Sequence, residues 1–120
     1  MRTTLPCLAF ALVSLGSSAT TELAPLSYLV NTLNSRSYRN VAEPYLIETA
    51  RDEAVRNALY GYLKNSTREE KSGLARVLAA SGDRNSLPQI EWMTKDPDPE
   101  VAQEAIRAMR ILQARLNALR

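Results

Sequence analysis

Histidine is absent from this 120-residue sequence, and its single cysteine, Cys7, lies close to the amino terminus. Histidine-dependent catalytic triads, thiol enzymes with a histidine base and zinc sites built from histidine and cysteine are therefore excluded. One cysteine also cannot form a disulfide within the chain. Catalysis would need a carboxylate pair, a lysine, or a hydroxyl activated by lysine, and no spacing singles one out. We expect no catalytic residues, no metal and no cofactor.

A strong excess of charge is also missing. The 15 basic and 13 acidic side chains leave a formal charge of +2, which is too small and too dispersed to indicate a nucleic-acid partner. Hydrophobic residues make up 45% of the chain, so the composition is that of a folded protein. The length allows one domain with a modest core.

The first nineteen residues have the layout of a secretory signal peptide. Arg2 precedes an apolar run over residues 5–15, and small residues follow it. Ser17 and Ala19 suit cleavage before Thr20, and the run is too short for a transmembrane anchor. We therefore predict a signal peptide over residues 1–19, a domain over residues 20–120, and a periplasmic or extracellular location. The alternative is an uncleaved helix buried in the core.

The rest of the chain has the periodicity of α-helices. Five segments after Ser37 repeat apolar residues at helical spacing, a sixth at residues 25–34 is weaker, and no stretch alternates like a strand. In the last segment, one face carries the predicted core residues Val101, Ala105, Ala108, Met109, Leu112, Leu116 and Leu119. The sequence predicts an all-α fold.

Capping residues mark the ends of these segments. Asp98 is the predicted N-cap of the last helix. For the helix over residues 68–81, a capping box is predicted from Ser66 with Glu69, or from Thr67 with Glu70. Gly82 is expected to end that helix in a left-handed conformation.

A shift of 31 residues superimposes one helix pair on the next. Arg76 then aligns with Arg107, and Glu69 aligns with Glu100. A fixed period of this length in helix pairs is typical of a solenoid, in which each unit buries its apolar stripe against its neighbours.

The second half of the sequence contains the strings LPQI at 87–90, KDPDPEV at 95–101 and AIRAM at 105–109. Together they resemble a HEAT-like repeat. A second resemblance to this repeat covers residues 44–47 and 52–59. The resemblance implies a short right-handed solenoid of about three helical hairpins. The two matches lie 46 residues apart, so two pairings of the helices remain open. Residues 53–64 form the first helix of a pair under the 31-residue period, which we favour, and the second helix under the other.

Basic and aromatic residues are the candidates for partner binding. The period places Arg76 and Arg107 at equivalent positions, and Arg110 extends this arginine ladder. In HEAT-like arrays the second helices line the concave surface, so the resemblance implies that these arginines face a partner. Tyr60 and Trp92 are further candidates, because aromatic side chains anchor interfaces. The alternatives are a solvated helix face for the arginines and core packing for the aromatics.

Asp96, Asp98 and Glu100 alternate like calcium ligands, but helix capping and the helix dipole explain these carboxylates without a metal.

The sequence thus favours a non-enzymatic interaction or scaffold module of the cell envelope or exterior, with a protein or peptide partner. One alternative is an enzyme accessory or small lyase-like enzyme, since some relatives of HEAT-like repeats act in chromophore attachment. Another is a binder of anionic polymers or lipid headgroups through the arginine ladder. Apolar Leu116 and Leu119 near the carboxyl terminus leave self-association possible.

Overall fold

A computed structural model describes residues 26–119, and all regular structure in that range is α-helical. The predicted signal peptide and its cleavage position lie outside these residues. Helix α1 is described over residues 26–32. The other helices are α2 (Arg36–Thr49), α3 (Glu53–Leu63), α4 (Arg68–Ser81), α5 (Ser86–Met93) and α6 (Pro99–Ala118). The predicted all-α class is confirmed over the described range. No helix there has the length and hydropathy needed to cross a membrane.

Helix α4 lies at the centre of the packing. It contacts α2 on one side and α6 on the other, so these three helices lie side by side in that order. Helices α3 and α5 also pack against α4, and α5 packs against α6. The side chains of Leu74, Val77 and Leu78 on α4 are fully buried. Burial of such apolar side chains contributes roughly 1.5–3 kcal/mol each, so α4 makes a large contribution to the stability of the fold.

Side chains cap three of the helix starts. The carboxylate of Asp52 accepts a hydrogen bond from the Ala54 amide at the start of α3, and Asp98 accepts one from Glu100 at the start of α6, both at 2.9 Å. Thr67 and Glu70 form the reciprocal capping box of α4. The predictions for Asp98 and for the second capping-box alternative are confirmed. These N-caps satisfy amide groups that have no partner within the helix.

The left-handed conformation predicted for Gly82 is wrong. Its φ is −77° and its ψ is 174°, which is extended backbone. A Cβ atom at this position would lie 2.5 Å from the Leu78 carbonyl oxygen and 2.6 Å from Ser86 Oγ. Glycine is therefore needed because the chain turns tightly against α5, and its freedom to adopt a positive φ is not used.

The predicted apolar face of α6 is mostly buried. Val101, Ala105, Ala108 and Leu112 are buried as expected, whereas Leu119 is 77% exposed. Helix α6 has 20 residues and α4 has 14, so the last turns of α6 extend beyond the helix against which they would pack. The periodicity was right, but the length of the neighbouring helix limits the buried stripe.

Arg56 on α3 is a buried cation that the sequence pattern did not single out. Its Nη1 donates to the carbonyl oxygens of Ala50 and Arg51 at 3.0 and 2.9 Å, and its Nη2 donates to Asp83 at 2.9 Å. The side chain thereby joins the end of α2 to the turn between α4 and α5. Its role is structural.

Candidate functional site

A groove of about 530 Å³ crosses the exposed side of α2, α4 and α6. Five arginines line it: Arg36 and Arg39 from α2, Arg68 and Arg76 from α4, and Arg107 from α6. The other lining side chains are Glu69, Ser72, Glu100, Gln103 and Glu104. The groove is therefore polar, and its walls come from three helices that are separate in sequence.

Helical spacing aims these side chains into the groove. Residues three or four positions apart lie on the same face of a helix. Arg68, Ser72 and Arg76 follow that spacing on the side of α4 that lines the groove, and Glu100, Gln103 and Arg107 follow it on α6. The N-cap residues of α4 and α6, Thr67 and Asp98, differ by 31 positions (98 − 67). Residues 31 positions apart therefore lie the same number of residues from the start of each helix.

Arg76 lies at the middle of the groove and is tied to both neighbouring helices. Its Nε donates to Glu43 Oε2 on α2 at 2.9 Å, its Nη2 bonds to the same oxygen, and its Nη1 lies 3.4 Å from Glu104 Oε1 on α6. The hydrogen bond to Glu43 raises the pKa of the Arg76 guanidinium, although burial opposes this effect. A half-buried cation of this kind fixes its helix neighbours as well as contributing charge to the groove.

The groove also contains Arg107 but not Arg110. Arg107 is largely exposed, and its Nη1 donates to Glu104 at 3.0 Å. Arg76 and Arg107 therefore share one carboxylate. Arg110 is exposed and does not line the groove. The structure brings two members of the predicted ladder together and leaves the third outside.

Arg68 forms the second ion-pair cluster of the groove. Its Nε lies 2.8 Å from Asp98 and 3.6 Å from Glu100. The hydrogen bond to Asp98, followed by the charges of both carboxylates, raises the pKa of Arg68. Asp98 thus caps α6 and also joins α6 to the start of α4.

Arg36 and Arg39, at the α2 end of the groove, were missed at the level of sequence. Neither makes an ion pair with any residue between 26 and 119. Arg39 Nε donates to the Leu33 carbonyl oxygen at 3.1 Å, and Arg36 is exposed. The sequence feature that could have identified them is a pair of arginines in the first turn of a helix that has no acidic residue there.

The aromatic candidates lie outside this groove. The hydroxyl of Tyr60 is 2.6 Å from Ser86 Oγ, and Ser86 is fully buried, so Tyr60 has a partner inside the fold. Trp92 is 46% exposed, and Lys71 Nζ lies 5.4 Å from the centre of its ring. Lys71 also pairs with Asp96 at 3.0 Å. Of the two aromatics, only Trp92 offers a substantial exposed surface.

Another exposed surface lies on α2 and was not expected from the sequence. Tyr38, Val41 and Tyr45 are 64%, 71% and 59% exposed, and their spacing places them on one face of the helix. They do not line the groove.

The chemistry available in the groove is that of polar recognition. Guanidinium groups donate hydrogen bonds in pairs, carboxylates accept them, and Ser72 and Gln103 can do both. Within residues 26–119, no three acidic side chains lie close enough to hold a metal ion. The lining of the groove thus combines hydrogen-bond donors, hydrogen-bond acceptors and charges of both signs.

Comparisons of the chain with protein-family models, with curated protein sequences and with solved structures returned no match. The functional argument therefore depends on the geometry of the groove.

Proposed function

We propose that this protein is an exported, non-enzymatic interaction module that holds a protein or peptide partner in the groove across α2, α4 and α6. The observation that carries this proposal is the groove itself, which is open, polar and about 530 Å³ in volume, with walls from three helices. An open groove of this form suits an extended chain, because ligands that are small and apolar are held in more enclosed and more apolar pockets.

A short right-handed HEAT-like solenoid of helix pairs would account for the packing. In such a stack, alternate helices contact one another, as α2, α4 and α6 do. The packing of α5 against α6 and the 31-residue spacing of the α4 and α6 N-caps support the pairs α3–α4 and α5–α6. We therefore continue to favour the 31-residue period.

The export part of the proposal is supported by the sequence of residues 1–19, with its positive start, apolar centre and small residues at the end. A partner should accordingly be present in the periplasm or outside the cell.

The internal ion pairs make an anionic polymer a weaker candidate than a peptide. Arg76 and Arg107 share Glu104, and Arg76 also binds Glu43, so the positive charge of these two ladder arginines is already compensated. A polyanion would have to approach these carboxylates as well, at a cost in repulsion. An enzyme accessory role gains no such specific support from the groove.

Site-specific photo-crosslinking in the native cell envelope tests the proposed function. A photo-reactive residue replaces Gln103, which is exposed in the groove, or Gln113, which is exposed on the same helix but does not line it. We expect one reproducible adduct from position 103 and none of the same mass from position 113. Equal capture from both positions, or no adduct from either, would contradict groove-mediated binding.

A further inference from the structure

We infer that the groove recognises a peptide segment carrying one or two carboxylates, and that Arg36 and Arg39 at the α2 end bind those carboxylates. This inference depends on the proposed function, because it names the chemistry of the partner in that same groove.

The distribution of charge within the groove leads to this inference. Three of its five arginines, Arg68, Arg76 and Arg107, already pair with carboxylates of the protein. Arg36 and Arg39 have no carboxylate partner within the described residues, and the first turn of α2 supplies none. Within the described residues, the two groove arginines that form no ion pair therefore both lie at the α2 end, where an external carboxylate finds guanidinium groups that are not already paired.

The spacing of the two arginines suits a carboxylate ligand. They are three positions apart on α2, so their side chains project from the same face. The hydrogen bond from Arg39 Nε to the Leu33 carbonyl holds one edge of that guanidinium. Its terminal Nη atoms make no hydrogen bond within the described residues, and paired N–H groups of this kind bind carboxylates with good geometry.

The remaining lining favours a peptide over a uniformly anionic chain. Glu69, Glu100 and Glu104 also face the groove and repel repeated negative charge. Ser72 and Gln103 offer neutral donors and acceptors that match the amide groups of a peptide backbone. The α2 end of the groove thus suits the carboxylates of the peptide, and the remainder of the groove suits its uncharged polar groups.

Selection of a random heptapeptide library on the immobilised purified protein tests this chemistry. We expect enrichment of sequences with one or two aspartates or glutamates. A selected peptide, synthesised with a fluorescent label, should bind at least tenfold more weakly to Arg36→Glu, by fluorescence anisotropy. The control is Arg84→Glu, which changes an exposed arginine outside the groove by the same charge and should alter binding less than twofold.

The fold should survive this substitution, because a carboxylate in the first turn of α2 interacts favourably with the helix dipole. Circular dichroism checks this point. If Arg36→Glu binds the selected peptide as tightly as the parent protein does, the inference is overturned. It is also overturned if inorganic polyphosphate binds more tightly than the selected peptide and this binding depends on Arg36. Gln103→Trp places a bulky side chain in the groove and should weaken any peptide that binds there. Enrichment of apolar or basic peptides whose binding is weakened by Gln103→Trp would overturn the inference about carboxylates but would still support binding in the groove. If no selected peptide responds to Gln103→Trp, the proposed function fails as well.

Discussion

At the scale of single residues, two glycines differ in what surrounds them. A Cβ atom at Gly82 would overlap the Leu78 carbonyl and Ser86, whereas a Cβ atom at Gly61 would have no atom within 4 Å. Gly61 lies inside α3, and Gly82 follows the last residue of α4. The same substitution should therefore have opposite effects at the two positions.

Gly82→Ala should lower the free energy of unfolding by about 1–3 kcal/mol, because the turn or Ser86 must shift to accommodate the methyl group. Gly61→Ala should raise it by about 0.5–1 kcal/mol, because alanine reduces the entropy cost of forming a helix. Urea unfolding followed by circular dichroism measures both changes. If Gly82→Ala unfolds at the same urea concentration as the parent protein, the close approach of Ser86 does not restrict the side chain at this position.

Arg56 illustrates why some single residues escape sequence interpretation. An arginine is usually exposed, yet the side chain of Arg56 is only 10% exposed and donates to two carbonyls and one carboxylate. Its partners lie in the turns after α2 and α4, 27 positions away in the case of Asp83. Periodicity within α3 carries no information about partners that only the packing brings near.

At the scale of elements, the turn between α5 and α6 depends on the ionised carboxylate of Asp96. It accepts a hydrogen bond from the Asp98 amide at 2.9 Å and pairs with Lys71 of α4 at 3.0 Å. The backbone hydrogen bond, followed by the contact with Lys71, lowers the pKa of Asp96, although partial burial opposes the shift. Lys71 in turn lies over the ring of Trp92. One carboxylate thus connects three elements.

This connection should make stability depend on pH. Because the pKa of Asp96 is lower in the folded state, its contribution is present above the unfolded-state value of about 4 and is lost as the pH falls through the folded value. Asp96→Asn should therefore be less stable than the parent at pH 7, and the difference should narrow between about pH 5 and pH 2. Urea midpoints across this range measure the effect.

Glu91→Gln is the matched control for that experiment, since it removes an exposed carboxylate that makes no ion pair with residues 26–119. Its unfolding curve should follow that of the parent protein across the same pH range. If Asp96→Asn also parallels the parent, the link between Asp96 and acid stability is contradicted.

At the scale of the whole molecule, Arg76 connects the three helices that form the groove. It projects from α4 and pairs with Glu43 of α2 and Glu104 of α6. Among residues 26–119, Arg107 pairs only with Glu104, which lies on the same helix, and the Arg107 side chain is more exposed than that of Arg76. The two arginines that the 31-residue period placed at equivalent positions therefore differ in their energetic roles.

Arg76→Gln should lower the free energy of unfolding by roughly 1–2 kcal/mol, because it leaves the partly buried Glu43 without its cation and Glu104 paired with Arg107 alone. Arg107→Gln should change it by less than about 0.5 kcal/mol, as is usual for an exposed ion pair. Chemical unfolding of both variants at low and moderate salt provides the measurement. Equal losses would contradict a bridging role for Arg76.

The sequence was sufficient for properties that arise from neighbouring residues. Helical periodicity predicted the class and the buried stripe of α6 up to Leu112, and side-chain chemistry predicted the caps at Thr67 and Asp98. These features depend on residues at most a few positions apart, so one-dimensional spacing describes them well.

Only the tertiary structure decided which charges are available in the groove. Glu43, 33 positions from Arg76, pairs with a predicted ladder arginine, while Arg36 and Arg39 of α2 line the groove and form no ion pair within the part of the chain that the structure describes. Ser86 leaves no room for a side chain at Gly82, and its hydroxyl forms a hydrogen bond with the hydroxyl of Tyr60. The physical reason is the same in each case. Ion pairing and close packing depend on distances between helices, and the order of residues along one helix does not specify those distances.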